Sequence, residues 1–129
     1  MIIGDSMKKF LLVIMCLLLV GCGAKKSEEI KPGKITCEQM KEIMKGDNNP
    51  QLIDVRTEEE YKEGHLTDSA NIPYDIIVGG IEAYEVVKKD TPIIVYCKSG
   101  KRSAQAYESL VKAGYTKVYD LGAMSNCKN

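Results

Sequence analysis

A strand, a loop and a helix in direct succession constrain the fold of this chain more than any other feature. Residues 92–96 form an apolar run typical of a buried strand, and residues 103–113 have the apolar spacing of an amphipathic helix. The loop between them, residues 97–102, begins with a thiol and carries two lysines and an arginine. Backbone amides of such a loop and the N-terminus of the next helix converge, so we expect negative charge to be stabilised there.

The same alternation of strand and helix continues through the chain. Short strands are predicted near residue 35 and at residues 51–55, 70–73, 92–96 and 117–121. Helices are predicted between them, at residues 36–45, 57–63, 76–89 and 103–113. This order predicts an α/β fold whose parallel sheet is covered by helices on both faces.

Capping residues predict where the helices begin and end, and the strand ends predict where a functional site lies. Thr36 with Gln39, and Thr57 with Glu60, have the spacing of capping boxes at two helix starts. Gly114 is predicted to end the last helix in a left-handed conformation. Functional sites in parallel sheets lie at the carboxyl ends of strands, and Cys97, Asp54 and Arg56 fall at such ends.

Length and charge exclude some classes of function. A chain of 129 residues predicts one domain. Its 18 basic and 18 acidic residues balance, so no strongly basic face is expected. Nucleic-acid binding is therefore not predicted.

The N-terminus has the pattern of a targeting signal. Met7 precedes two lysines and an apolar run at residues 10–20, which is too short for a membrane-spanning helix of about 20 residues. The run fits the apolar region of a signal peptide, and we expect Met7 rather than Met1 to be the start. Three kinds of segment fit this pattern: a lipoprotein signal, an ordinary signal peptide and an uncleaved membrane anchor.

Residues 19–22, Leu-Val-Gly-Cys, resemble the lipobox of bacterial lipoproteins. That resemblance implies cleavage after residue 21 and lipidation of Cys22, which would hold the protein outside the cytoplasm on the bacterial cell membrane. Residues 22–33 are then a flexible tether, and residues 34–129 are the folded domain.

Four ordered segments resemble the single-domain rhodanese-like sulfurtransferases. The first segment is L-I-D-V-R at residues 52–56, and the second, within residues 60–73, contains E-Y, G-H-L and A-N-I-P. The third is C-x-x-G-x-R-S at residues 97–103. The fourth, within residues 114–122, contains G-Y and V-Y-D-L-G. The resemblance implies the rhodanese-like three-layer fold, with a central parallel five-stranded sheet. One position departs from the family, because Cys127 stands where relatives carry Trp, so we expect weaker local stability at that end.

The resemblance implies sulfur transfer through a persulfide on Cys97. A thiolate at Cys97 would attack a small anionic donor such as thiosulfate, and cyanide or a thiol would then accept the sulfur. A thiol in the positive field of this loop should ionise more readily than free cysteine. No cofactor is implied, and the cysteine spacing resembles no zinc motif. The substrate-binding candidates are the remaining loop residues, Lys98, Ser99, Gly100, Lys101 and Arg102, together with Ser103 at the start of the next helix.

Two further groups have structural and functional interpretations. Arg56 either adds positive potential or binds the sulfur donor, or it forms an ion-pair network with Asp54 that holds the loops together, with Glu60 as a further candidate member. We favour the network, because paired charges are more often structural. His65 is the only histidine, and we favour a structural role for it as well, since a preformed thiolate needs no base.

Three states are possible for the thiols of Cys37 and Cys127. They could form a disulfide outside the cytoplasm, either could resolve the Cys97 persulfide, or one or both could be free. We favour free thiols.

Two other functions compete with sulfur transfer. Phosphatases and arsenate reductases that share the fold use a longer Cys-x5-Arg loop, whereas four residues separate Cys97 from Arg102 here. The shorter loop favours sulfur over a tetrahedral oxyanion. A non-catalytic binding or regulatory module is the other alternative, although such modules have often lost the cysteine that this chain keeps.

Overall fold

The computed structural model describes residues 28–80 and 88–127. The predicted signal peptide, the lipidation site Cys22, the first part of the tether and residues 81–87 of the third predicted helix lie outside the described residues.

Five parallel strands form one sheet in the described part of the chain. They are β1 Gly33–Lys34, β2 Gln51–Asp54, β3 Ser69–Asn71, β4 Ile93–Cys97 and β5 Val118–Ala123. Their order in the sheet is β1-β5-β4-β2-β3, and every neighbouring pair is parallel. The α-helices are α1 Cys37–Met44, α2 Glu58–Glu63, α3 Tyr74–Gly80 and α4 Lys101–Lys112, and a 3-10 helix, Met124–Cys127, follows β5. The predicted α/β fold with a five-stranded parallel sheet is confirmed.

Alternating side chains of the central strand supply two hydrophobic cores. On one face of the sheet, Val95 packs in a cluster with Ile77 of α3 and Leu110 of α4. On the other face, Ile94 packs in a cluster with Met40 of α1. Because successive residues of a strand point to opposite faces, a continuously apolar strand such as β4 needs cover on both sides. The predicted helical layers on the two faces are therefore present.

Both predicted capping boxes are confirmed. The side chain of Thr36 accepts a hydrogen bond from the amide of Gln39, whose side chain caps Thr36 in return. Thr57 and Glu60 make the same reciprocal pair at the start of α2. Gly114 has the predicted left-handed conformation, with φ of 97°.

Three element boundaries differ from the prediction. Strand β1 ends at Lys34, one residue before Ile35. Helix α3 begins at Tyr74 rather than at residue 76, because the carbonyl of Pro73 already accepts hydrogen bonds from the amides of Ile76 and Ile77. Helix α4 begins at Lys101 rather than at Ser103, because Gly100 reverses the chain with φ of 95°. The last three residues of the predicted loop therefore lie in or next to the first turn of α4.

Cys37 and Cys127 form a disulfide, so the prediction of free thiols is wrong. Their Cα atoms lie 5.2 Å apart although 90 residues separate them in sequence. The bond ties the 3-10 helix that follows β5 to the first residue of α1. The end of the domain that was expected to be weak is therefore covalently fixed, and Cys97 is the free cysteine of the described residues.

Among the described residues, no helix is both long enough and apolar enough to cross a membrane.

We expect a Cys37→Ser, Cys127→Ser double variant to lose about 4 kcal/mol of unfolding free energy, since the disulfide closes a long loop in the unfolded chain. Urea denaturation of the two proteins measures this difference. The wild-type protein in excess dithiothreitol serves as the control and should match the double variant. Equal midpoints for the oxidised wild type and the double variant would contradict the prediction.

Candidate active site

Cys97 is the last residue of β4 and lies at the centre of the sheet. Strand β4 pairs with β5 on one side and with β2 on the other, where Tyr96 is in register with Asp54. The residue is 0% exposed. Its thiol therefore sits at the carboxyl edge of the two central strands, where the connections to α2 and α4 begin.

Two backbone amides point at the sulfur of Cys97. The amide of Gly100 donates to Sγ at 2.9 Å, and the amide of Ser103 lies 3.4 Å from the same atom. The hydroxyl of Ser103 donates to the carbonyl of Gly100 at 3.1 Å, which closes the turn around the sulfur. Hydrogen-bond donors fixed in this way stabilise negative charge on the atom that they surround. The N-terminus of α4 adds its positive dipole end at the same place.

Gly100 gives the loop its shape. Its φ of 95° lies in the left-handed region that favours glycine. A Cβ placed there would lie 3.6 Å from the Cα of Gly122 and 3.7 Å from the amide nitrogen of Ala123. The loop thus rests directly on the end of β5.

Three of the four remaining substrate-binding candidates are exposed. The side chains of Lys98, Ser99 and Lys101 face solvent. The two lysines can attract an anion to this edge of the domain, but charges screened by water contribute modestly to binding.

Arg102 is held by Glu60 of α2 rather than left free to meet a substrate. Its two terminal nitrogens bond the two carboxylate oxygens of Glu60 at 2.7 and 3.0 Å, and both side chains are about three-quarters buried, with 25% and 27% exposed. The hydrogen bonds from Arg102, with help from the Thr57 cap, lower the pKa of Glu60 to about 2. The pair therefore stays charged over the physiological range and joins α2 to the first turn of α4.

Sequence reasoning placed Glu60 with the other arginine and so missed this pair. A usable signal existed, since β2 and β4 are adjacent parallel strands and the helices that follow them begin at the same edge of the sheet. Opposite charges in the first turns of these two helices, Glu60 and Arg102, are therefore natural partners.

Asp54 and Arg56 form a closed, buried pair, the structural arrangement favoured from the sequence. Nε of Arg56 donates to both carboxylate oxygens of Asp54 at 3.0 Å, and one terminal nitrogen donates to Oδ2 at 2.7 Å. The same nitrogen donates to the carbonyl of Gly64 at 2.6 Å. The side-chain amide of Asn71 bonds the carbonyls of Asp54 and Arg56 at 3.0 Å. The segment after β2 is thereby fixed beside the Cys97 loop.

Tyr96 anchors the neighbouring loop from inside the sheet. Its hydroxyl accepts from the amide of Leu66 at 3.0 Å and lies 2.9 Å from the hydroxyl of Ser69. Burial raises the pKa of Tyr96 to about 12, so the hydroxyl stays protonated. His65 stacks on Tyr61 with ring centroids 3.7 Å apart, and its Nδ1 donates to the Tyr61 carbonyl. These contacts give His65 the structural role expected from the sequence.

A cavity of about 410 Å³ opens beside the Cys97 loop. It lies between α2, Lys98 and the 3-10 helix that the disulfide holds. Within residues 28–80 and 88–127, no group of three His, Cys, Asp or Glu side chains is arranged to bind a metal ion.

Comparison with known proteins finds a matching protein family and relatives with similar sequences. The family model described as the rhodanese-like domain matches residues 36–127. The thiosulfate sulfurtransferase PspE of Escherichia coli is 38% identical over 74 residues, which cover 57% of this chain and 70% of that protein. The uncharacterised protein YqhL of Bacillus subtilis is 34% identical over 80 residues, which cover 62% of this chain and only 61% of that protein.

The fold has solved counterparts. A structure described as a rhodanese with anions from E. coli superposes with a TM-score of 0.55 and 35% sequence identity, covering 60% of this chain and 91% of that one. A structure of an uncharacterised protein from Saccharomyces cerevisiae superposes with a TM-score of 0.58 and 28% identity, covering 75% and 91% of the two chains.

We expect Glu60→Gln to lower the unfolding free energy by about 1 kcal/mol at neutral pH, because the amide keeps the cap on Thr57 but loses the ionic bond to Arg102. The folded-state pKa of Glu60 is depressed, so its contribution is present above the ordinary pKa of 4.5 and is lost as the pH falls toward about 2. Denaturant unfolding of both proteins between neutral pH and about pH 2 should show the difference shrinking across that range.

Glu59→Gln is the matched control, since it removes the same charge from an exposed position of the same helix. A Glu60→Gln effect no larger than that of the control, or one independent of pH, would contradict the prediction.

Proposed function

The chain belongs to the rhodanese-like family, and we propose that it is a sulfurtransferase that carries a sulfur atom on Cys97 as a persulfide. The donor is thiosulfate or a similar small anion, and the acceptor is a thiol, or cyanide in an assay. One observation carries the proposal: the amides of Gly100 and Ser103 converge on the Cys97 sulfur. The names of relatives such as the E. coli thiosulfate sulfurtransferase support the same chemistry.

In the first half-reaction, the Cys97 thiolate attacks the outer sulfur of thiosulfate. A bond forms between Sγ and that sulfur, the sulfur–sulfur bond of thiosulfate breaks, and its electron pair leaves with sulfite. The terminal sulfur of the new persulfide is anionic, so the positive end of the α4 dipole at this edge of the sheet would stabilise it. Because Cys97 is 0% exposed, the loop must open for the donor to reach Sγ.

In the second half-reaction, an acceptor thiolate attacks the outer sulfur of the persulfide. The bond between that sulfur and Sγ breaks, and Sγ returns to the thiolate state. No external oxidant or reductant is needed, because the sulfane sulfur moves from one thiolate to the other.

The position of Arg102 argues against oxyanion chemistry. An arginine that binds a tetrahedral phosphate or arsenate must offer its guanidinium to the ligand. Here both terminal nitrogens of Arg102 already bond Glu60. The short loop and this occupied arginine together support sulfur transfer over phosphatase or arsenate reductase activity.

We expect thiosulfate to add about 32 Da, one sulfur atom, to the wild-type protein and nothing to the Cys97→Ser variant. Intact-protein mass spectrometry measures the adduct, and peptide mapping assigns it. The Cys37→Ser, Cys127→Ser variant is the matched control and should still gain one sulfur, because it keeps Cys97. Absence of any adduct in the wild type would favour a binding module, and hydrolysis of an aryl phosphate would favour the phosphatase alternative.

We also propose that the protein is lipid-anchored outside the cytoplasm of a bacterial cell. The apolar run at residues 10–20 and the Leu-Val-Gly-Cys segment ending at Cys22 support this location. The disulfide between Cys37 and Cys127 also supports it, since such bonds persist in oxidising compartments.

We expect wild-type protein expressed in a bacterium to incorporate a radiolabelled fatty acid and to sediment with membranes. The Cys22→Ala variant should lose the label, because the acceptor thiol is gone. Cys16→Ala is the control and should keep the label, since residue 16 lies within the predicted signal peptide. Equal labelling of the two variants would contradict the anchor.

A further inference from the structure

We propose that the cavity beside the Cys97 loop is the acceptor site, and that it selects small thiols that carry both an ammonium and a carboxylate group. The chemical class is an amino-acid or short-peptide thiol. This inference rests on the proposed sulfur transfer and names the substrate of its second half-reaction.

The cavity lies in the right place for an acceptor. One wall is Lys98, the residue that directly follows Cys97, and another is α2 with Glu60 and Glu63. Met124, Ser125 and Cys127 of the 3-10 helix also line the cavity. A volume of about 410 Å³ falls within the range of about 300–1,000 Å³ typical of small-molecule sites.

Four charged residues line this cavity, and two of them are already neutralised. Arg56 is bonded to the buried carboxylate of Asp54, and Glu60 is bonded to Arg102. That leaves Lys98 and Glu63, which are both exposed and have no ion-pair partner among the described residues. The charges still available to a ligand are therefore one cation and one anion.

This pair of charges fits a zwitterion better than an anion. A dianion such as thiosulfate would be attracted by Lys98 but repelled by Glu63, whereas a ligand with both charges can satisfy each residue. The lining as a whole holds two cationic and two anionic residues, so a ligand of zero net charge matches it. With its carboxylate at Lys98 and its ammonium at Glu63, an amino thiol would be held beside the loop that carries the persulfide.

Single-turnover transfer from preformed persulfide tests the proposal. The full chain is loaded with thiosulfate, freed of donor, and mixed with increasing concentrations of four thiols that differ in charge. These are cysteine, cysteamine, 3-mercaptopropionate and 2-mercaptoethanol. The loss of the added sulfur is followed by mass spectrometry, and the concentration for half-maximal rate is determined for each thiol.

The two charges predict a crossed pattern. Lys98→Gln should raise the half-maximal concentration about threefold for cysteine and 3-mercaptopropionate, which have a carboxylate, and should not raise that for cysteamine, whose ammonium Lys98 repels. Glu63→Gln should raise the half-maximal concentration about threefold for cysteine and cysteamine, which have an ammonium, and should not raise that for 3-mercaptopropionate, whose carboxylate Glu63 repels. Lys112→Gln and Glu59→Gln remove equivalent charges from exposed positions outside the cavity and serve as controls. Uniform effects on all four thiols, or no effects, would overturn the proposal.

A binding measurement separates this proposal from the sulfur-transfer proposal. S-Methylcysteine has the same two charges but cannot accept sulfur, so its binding does not depend on the chemistry. We expect it to shift the backbone amide resonances of Lys98, Glu63 and Ser125 saturably, and more weakly in each cavity variant. If thiosulfate leaves no adduct on Cys97 but these shifts occur, the transfer proposal fails and the zwitterion site stands. If the shifts are absent, the site is refuted whatever the adduct shows.

Discussion

Hydrogen bonds from backbone amides to the sulfur of Cys97 are the interaction on which the rest of this site depends. They exist only because Gly100 turns the loop with a left-handed φ and because α4 begins at once after it. The loop is then held from two sides: Gly100 rests on the end of β5, and Arg102 binds Glu60 of α2. Donors fixed in this way are already oriented toward the sulfur on which negative charge develops, which is the condition for efficient electrostatic stabilisation.

Some charged side chains near the Cys97 loop are bonded to an opposite charge, and others are exposed and can meet a ligand. Both arginines of the chain, Arg56 and Arg102, bind carboxylates through several nitrogens and so serve as connectors between segments. A planar guanidinium with several donors suits this use better than a lysine does. The stabilisation of negative sulfur is consequently left to backbone dipoles, while exposed charges such as Lys98 remain free to interact with small molecules.

The disulfide connects this chemistry to the rest of the domain. The bond between Cys127 and Cys37 holds the 3-10 helix against α1. The same helix forms one wall of the cavity beside the Cys97 loop. The disulfide thus fixes one wall of this cavity to the first helix of the domain.

Features governed by neighbours in sequence were determined by the sequence itself. The capping boxes at Thr36 and Thr57, the apolar strand β4 and the parallel α/β order follow from hydrogen bonds and periodicities that span only a few residues. The Glu60–Arg102 pair spans 42 residues and the disulfide spans 90, and neither followed from the local pattern. Only the tertiary structure decided these partners, because packing of the helices on the sheet sets which distant side chains meet.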